Sequence, residues 1–309
     1  MVKVIQDLAE LRELGSPLHL AMGVFDGVHL GHQEVVQRVI DESSSQEGLA
    51  GVLTFDPFPL QVLAPDRAPQ KILANIDHKQ KLLEAMGVEC LVVIPFDHDF
   101  ARLSAKEFLD MVHQGGVLAQ ISIGEDWKFG KGREGTLSFV QEYCDQNEIL
   151  LTAVPPVIQD GERISSTRIR QAIRDGHLVA AKDLLGRDYS LYGTVVRGEQ
   201  LGRRIGFPTA NVDTKNEILP PDGVYACLAI IAGEEVAGVA NLGVRPTVSG
   251  EAIRKLEVHL FDFDQEIYGQ PVEVILGEFL RKEQKFAGVE ELKVQIESDC
   301  QRARLVKWG

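Results

Sequence analysis

The stretch LHLAMGVFDGVHLGHQEVVQRVI, residues 18–40, decides how the first half of the chain is built. Residues 18–24 are short and apolar, as a buried strand requires, and glycines follow at 23, 27 and 31. Val35, Val36, Val39 and Ile40 then recur at helical spacing. A strand that runs through a glycine turn straight into a helix gathers free amides and the positive end of the helix dipole at one point, which attracts anions. Gly23, Gly27 and Gly31 let backbone come close to a ligand, and His29 and His32, three apart, share one face at the helix start. The residues alone leave three readings of that pair: hydrogen-bond donors to phosphate oxygens, caps of the helix, or metal ligands together with Asp26.

Outward from this stretch, short apolar runs recur at 50–55, 90–95, 117–123 and 149–154. Between them lie helical stripes at Leu82, Leu83 and Met86 and at Phe108, Leu109 and Val112, the latter opened by Ser104 and Glu107 in capping-box spacing. The alternation predicts a parallel sheet with helices on its faces and ligands at the carboxyl ends of its strands. After about residue 186 the pattern changes to strand-like segments at 191–198, 223–232, 235–243, 254–263 and 271–280, separated by Gly, Pro and Asp signals. One helical pattern, 288–305, closes the chain. This half reads as a mostly antiparallel β-barrel with a C-terminal helix, giving domains over 1–186 and 187–309.

The 309 residues, 44% hydrophobic and 25% charged, have the composition of an ordinary globular protein of two domains. A net charge of −14 argues against a nucleic-acid partner, which needs a basic face. No run approaches the roughly 18 apolar residues of a membrane helix, and the first residues lack a signal-peptide core. Cys90, Cys144, Cys227 and Cys300 are scattered without a C-x-x-C pair, so reduced thiols and a cytoplasmic location are expected. A homo-oligomer is left open.

Two further segments carry anion chemistry. Ser165, Ser166 and Thr167, followed by Arg168 and Arg170, suit a polyphosphate or cap a helix. Residues 123–135, rich in glycine, do not form a P-loop: five residues rather than four separate Gly124 from Gly130-Lys131, and Gly132 stands where Ser or Thr is needed. Taken together, G-x-F-D-G-x-H-x-G-H at 23–32, the 124–135 stretch and I-S-S-T-x-I-R at 164–170 resemble the nucleotidyltransferase module of the bacterial bifunctional riboflavin kinase/FAD synthetase family. The resemblance implies a Rossmann-like α/β domain. ATP would be held by Gly23, Phe25, Asp26, Gly27, His29, Gly31, His32, Ser165, Ser166, Thr167 and Arg168, with His29 and His32 catalytic. The flavin would meet Phe55, Asp56, Asp126, Phe129 and Arg133. Trp127 replaces the family's usual phenylalanine and keeps an aromatic face, whereas Phe58 stands where the family tends to have histidine and removes a polar side chain from the flavin side.

The second half resembles the same family through its riboflavin kinase signature, L-G-R-R-I-G-F-P-T-A-N at 201–211, with G-V-Y at 223–225, N-L-G-V-R-P-T at 241–247 and L-E-V-H-L at 256–260. A hydroxyl and an amide two residues apart, Thr209 and Asn211, offer oxygens to a hard cation such as Mg²⁺. Glu257 lies in an apolar alternating strand, where an inward carboxylate is costly without a task; the resemblance gives it the general base's role. His259 faces the same side and reads as packed or solvated. By resemblance, ATP would meet Gly193, Gly198, Gly202, Gly206, Thr209 and Asn211, with Mg²⁺ at the last two. The flavin would meet Tyr225, Asn241, Arg245, Arg281 and Phe286, with Lys285 in the same basic stretch. The implied activity converts riboflavin to FMN and FMN to FAD, with ATP as co-substrate in both steps.

Overall fold

The computed structural model describes residues 2–69, 71–198, 201–215, 217–246 and 252–308. The chain divides into two compact units, Met1–Gln70 with Lys79–Ser166, and Lys71–His78 with Thr167–Gly309.

The first unit is built on a six-stranded sheet of β1 (Lys3–Ile5), β2 (Leu18–Met22), β3 (Leu49–Asp56), β4 (Cys90–Pro95), β5 (Leu118–Gly124) and β6 (Leu150–Val154). All neighbours are parallel, in the order β1-β4-β3-β2-β5-β6. Its helices are α1 (Leu30–Ser45), α2 (Pro59–Leu63), α3 (Ile76–Ala85, whose first residues belong to the other unit), α4 (Ala105–Gly115) and α5 (Leu137–Gln146). A two-stranded ribbon, β7 (Ile158–Gln159) with β8 (Glu162–Arg163), precedes α6 (Ser166–Arg174). Every residue of β2 is buried; Leu18, Leu20, Ala21 and Met22 are apolar, and His19 is partnered by Gln120, whose Oε1 lies 3.0 Å from its Nδ1. From β2 the chain lays β3 and β4 on one side and β5 and β6 on the other. The sheet's switch point therefore falls at the carboxyl end of β2, where residues 23–29 leave it.

α1 buries Val35, Val36 and Val39, and the Ser122 hydroxyl of β5 donates to the Val35 carbonyl at 2.9 Å. α4 opens with Ser104 and Glu107 in a capping box and buries Phe108, Leu109 and Val112, each contributing about 1.5–3 kcal/mol. Three details differ from expectation. β2 stops at Met22 because the chain turns at Gly23. Only Leu83 of the 82–86 stripe is fully buried, and Met86 lies beyond α3, which ends at Ala85, two residues before the left-handed Gly87 (φ 98°). β1, three residues long, was too short to announce itself by periodicity.

The second unit is a closed barrel of β9 (Ser190–Val196), β10 (Ala210–Asp213), β11 (Gly223–Ile231), β12 (Glu234–Pro246), β13 (Ala252–Leu260) and β14 (Pro271–Arg281), in the order β10-β13-β12-β11-β14-β9. All its pairs are antiparallel. α7 (Leu178–Leu185) precedes the barrel, α8 (Leu201–Arg204) is a single turn after β9, and α9 (Val289–Ala303) follows it. Ala303 of α9 joins a core with Val224, Ala226, Val239, Phe261 and Leu280. The expected classes, parallel sheet and then antiparallel barrel with terminal helix, are those observed. The inserted segment Lys71–His78 is held by a buried polar group. His78 Nδ1 lies 2.8 Å from Glu217 Oε1, and its Nε2 lies 3.2 Å from Ser190 Oγ, which donates to Glu273 at 2.8 Å. The Asn75 amide also donates to Glu217, at 2.9 Å.

Candidate active sites

In the first unit the loop leaving β2 is bent by positive φ at Phe25 (49°), Gly27 (83°) and Val28 (42°). Such angles cost a side-chain-bearing residue about 1–3 kcal/mol and persist only where the surroundings impose them; Phe25 and Val28 are 2% and 1% exposed. His29 is the N-cap of α1: its Nδ1 accepts the His32 amide at 3.3 Å, so the capping reading holds for this residue. A neutral His29 accepting at Nδ1 carries its proton on Nε2, as a hydrogen-bond donor. The two imidazoles stack with centroids 3.5 Å apart, and Phe25 meets His32 edge-on at 5.4 Å. A Cβ at Gly31 would lie 3.3 Å from the His29 ring, a tight contact that would press on the ring. The Ser166 hydroxyl donates to the Asp26 carbonyl at 3.0 Å, so two motifs separated by 140 positions meet. Ser165 precedes it; on α6, Thr167 is exposed, Arg168 is half-buried and Arg170 is buried. Among the described residues no group of three His, Cys, Asp or Glu side chains is placed to hold a metal ion, which removes the metal reading of Asp26, His29 and His32.

The residues expected on the flavin side divide between core and surface. Phe55 and Phe129 both pack on Phe108, at 6.2 and 5.4 Å between centroids, and Trp127 stacks on Phe129 at 4.5 Å. Asp56 and Arg133 are exposed, and Asp126 is ion-paired with Arg163.

In the second unit, cross-strand register does what no local motif can. Asn211 of β10 pairs with Glu257 of β13, Glu257 with Asn241 of β12, Asn241 with Val224 of β11, and Val224 with Arg281 of β14. Direct partners project to one face, so residues from five strands form a single rung. Beside it opens a cavity of about 570 Å³ whose lining includes Thr209, Asn241, Glu257, His259, Arg281 and Phe286. A second cavity of about 380 Å³ is lined in part by Arg203, Thr209 and Tyr268. Thr209 is common to both.

His259, expected to be packed or solvated, approaches the Pro208 carbonyl with Nδ1 at 2.8 Å and so grips the residue before Thr209. Arg281 is fixed by Asp299, with Nε 2.9 Å from Oδ2 and a terminal nitrogen at 2.8 Å, and its guanidinium stands 5.7 Å from the Phe286 ring centre. Gly198 and Gly202 are sites of close approach: a Cβ would fall 2.3 Å from the Asn211 side-chain nitrogen and 2.3 Å from the Phe207 carbonyl. Gly193 instead serves strand packing, with a Cβ there 2.1 Å from the Asp213 carbonyl, while Gly206 takes a positive φ of 94°. Tyr225 differs from expectation. Strand alternation turns it to the opposite side from cavity-lining Val224, and it is buried with its hydroxyl on the Pro221 carbonyl at 2.7 Å. The Arg245 side chain and Thr247 lie outside the described residues.

Sequence reasoning passed over Lys79 and Asp299. Both are charged residues at helical positions, which read as solvated faces, yet they are 5% and 1% exposed.

Comparison with known proteins agrees with this division. The family model of FAD synthetase matches residues 12–168 and that of riboflavin kinase residues 185–307. The chain is 38% identical over 306 residues to the bifunctional riboflavin kinase/FMN adenylyltransferase of Escherichia coli (strain K12), covering 98% of this chain and 96% of that one. It is 39% identical over 288 residues to the protein of the same name from Bacillus subtilis (strain 168), covering 92% and 90%. Its fold is similar to the solved "Macrolide-efflux Protein from Streptococcus pneumoniae", with a TM-score of 0.83 and 32% identity over 99% of each chain. Among the described residues no helix is long and apolar enough to cross a membrane. With relatives matched nearly end to end and a family model on each half, the chain belongs to the bifunctional riboflavin kinase/FMN adenylyltransferase family.

Proposed function

We propose that the chain phosphorylates riboflavin to FMN in residues 187–309 and adenylylates FMN to FAD in residues 1–186, with ATP as co-substrate in both steps. The division is supported by family matches that end at 168 and resume at 185. The observation that carries the kinase reading is the rung that sets Glu257 between Asn211 and Asn241 beside the larger cavity.

In the kinase, Glu257 accepts the proton of the ribityl 5′-hydroxyl as its oxygen bonds to the γ-phosphorus; the bond from that phosphorus to the bridging oxygen breaks and ADP leaves. Thr209, shared by the two cavities, and Asn211 on the rung offer a hydroxyl and an amide oxygen, a donor set that fits Mg²⁺ completed by substrate phosphates. When bound, Mg²⁺ supplies charge neutralisation at those phosphates. Arg281, locked by Asp299, and Phe286 present a cation and a ring to the flavin. Asn241 completes that side.

Adenylyl transfer needs no base, because the FMN phosphate is already anionic. Its oxygen attacks the α-phosphorus of ATP, the α–β bridge breaks and pyrophosphate leaves. His29, His32, the amides opening α1, Ser165, Ser166, Thr167 and Arg168 hold the charge that builds during the step. Phe55, Asp56, Asp126, Phe129 and Arg133 form the acceptor side. ATP as substrate, with Cys90, Cys144 and Cys227 free and buried, supports a cytoplasmic location.

Chromatography of the products from riboflavin, ATP and Mg²⁺ tests the proposal: FMN is expected first and FAD after it. Failure to form FMN would remove the kinase reading. Failure to convert supplied FMN to FAD would remove the adenylyltransferase reading.

A further inference from the structure

The adenylyl-transfer chemistry above makes no use of Lys79, yet this lysine is 5% exposed and stands directly beneath the loop that performs it. Its ammonium donates to the Val24 carbonyl at 2.7 Å and to Thr54 Oγ1 at 3.0 Å. Thr54, on β3, itself donates to the same carbonyl at 2.9 Å. Val24 immediately precedes Phe25, the first residue of the turn with positive φ. An ammonium buried this deeply costs several kcal/mol unless anions face it. Asp26 of the loop and Asp56 at the end of β3 are the charges that act on it; burial, the larger influence, pulls its pKa down to about 8 against their opposing pull. A structural filler would not need a charge here, since Thr54 already satisfies the carbonyl and an apolar side chain would fill the slot at lower cost.

We propose that Lys79 is a positioning residue for adenylyl transfer: its ammonium clamps the Val24 carbonyl and so holds the strained 25–28 turn in the shape that presents the loop amides and His29 to the triphosphate. The inference rests on reading that loop as the adenylyltransferase's nucleotide site. Two features make it more than a packing statement. The clamp acts on the carbonyl at the hinge of the strained turn, and the charge of the protonated amine is what makes its grip on that carbonyl strong, so the grip weakens when the amine loses its proton.

The test uses the full chain, with kinase activity as an internal reference. Lys79→Met keeps the volume and removes the charge. FAD formation from FMN should fall about a hundredfold, the scale expected of a small misplacement of reacting groups, while FMN formation from riboflavin stays within about twofold. Lys79→Arg, which keeps a cation, should recover part of the loss. In the wild type, adenylyl transfer should decline as pH rises from 7 to 9, with a limb near 8 that kinase activity lacks and that Lys79→Arg abolishes. Wild-type adenylyl transfer in a folded Lys79→Met variant would overturn the proposal. Should that variant fail to fold, a flat wild-type profile between pH 7 and 9, or a limb that persists in Lys79→Arg, would overturn it instead. If the wild type makes no FAD from FMN at all, the functional reading of the loop fails, which is a distinct result.

Discussion

Gly198 shows how a single missing side chain shapes a site. A methyl group there would overlap the Asn211 amide, which sits next to Glu257 on the barrel rung. Gly198→Ala should therefore displace Asn211 and lower kcat/KM for FMN formation about tenfold or more, with FMN-to-FAD conversion unchanged; steady-state kinetics of both reactions would show it, and an unimpaired kinase would refute the crowding argument. Gly198 could be picked out from its place in a motif, but the reason for it could not, because Asn211 comes close only through the pairing of β9 with β10. Tyr225 illustrates the opposite error. Its motif suggested a ligand contact, and strand alternation gave the cavity to Val224. Lys79 was invisible because a lysine on an amphipathic helix carries no mark of burial.

At the scale of elements, both halves were legible wherever a periodicity persisted. The runs at 50–55, 90–95, 117–123 and 149–154 became β3 to β6, with ends moved by a residue or so. The affiliation of residues 71–78 was not legible, because it rests on side-chain pairing with residues 190, 217 and 273, far along the chain. Burial pulls the His78 pKa down, but the charge of Glu217 and hydrogen bonds to Glu217 and Glu273 outweigh it, leaving the pKa above the ordinary 6.5. A group whose pKa is raised by folding stabilises the fold fully below its unfolded value and loses that contribution as pH climbs through the folded one. His78→Gln should cost about 3 kcal/mol at pH 6, as removal of one partner of a buried pair does, and less by pH 8. Urea unfolding at each pH measures the gap; a gap that stays constant would mean that no buried imidazolium is present.

For the whole molecule, the proposed assignment of FMN formation to Glu257 on the barrel and of FAD formation to His29 at the start of α1 makes the two activities separable by single substitutions. Glu257→Gln should lower FMN formation by about 10²–10⁴-fold, the usual worth of a general base, and leave the conversion of FMN to FAD intact. His29→Ala should do the reverse, with the loss chiefly in kcat if its contact tightens in the transition state. Assaying both reactions on each variant decides the matter, and equal losses would dissolve the division of labour. The barrel rung adds a temporal consequence. Its members are strung along the chain from Asn211 to Arg281 and become neighbours only through strand pairings that close the ring. Because contacts between such distant residues form late and slowly, a refolding chain diluted out of urea should regain FMN synthesis only when the ring shuts. On the ribosome, a nascent chain would stay silent as a kinase until β14 had emerged.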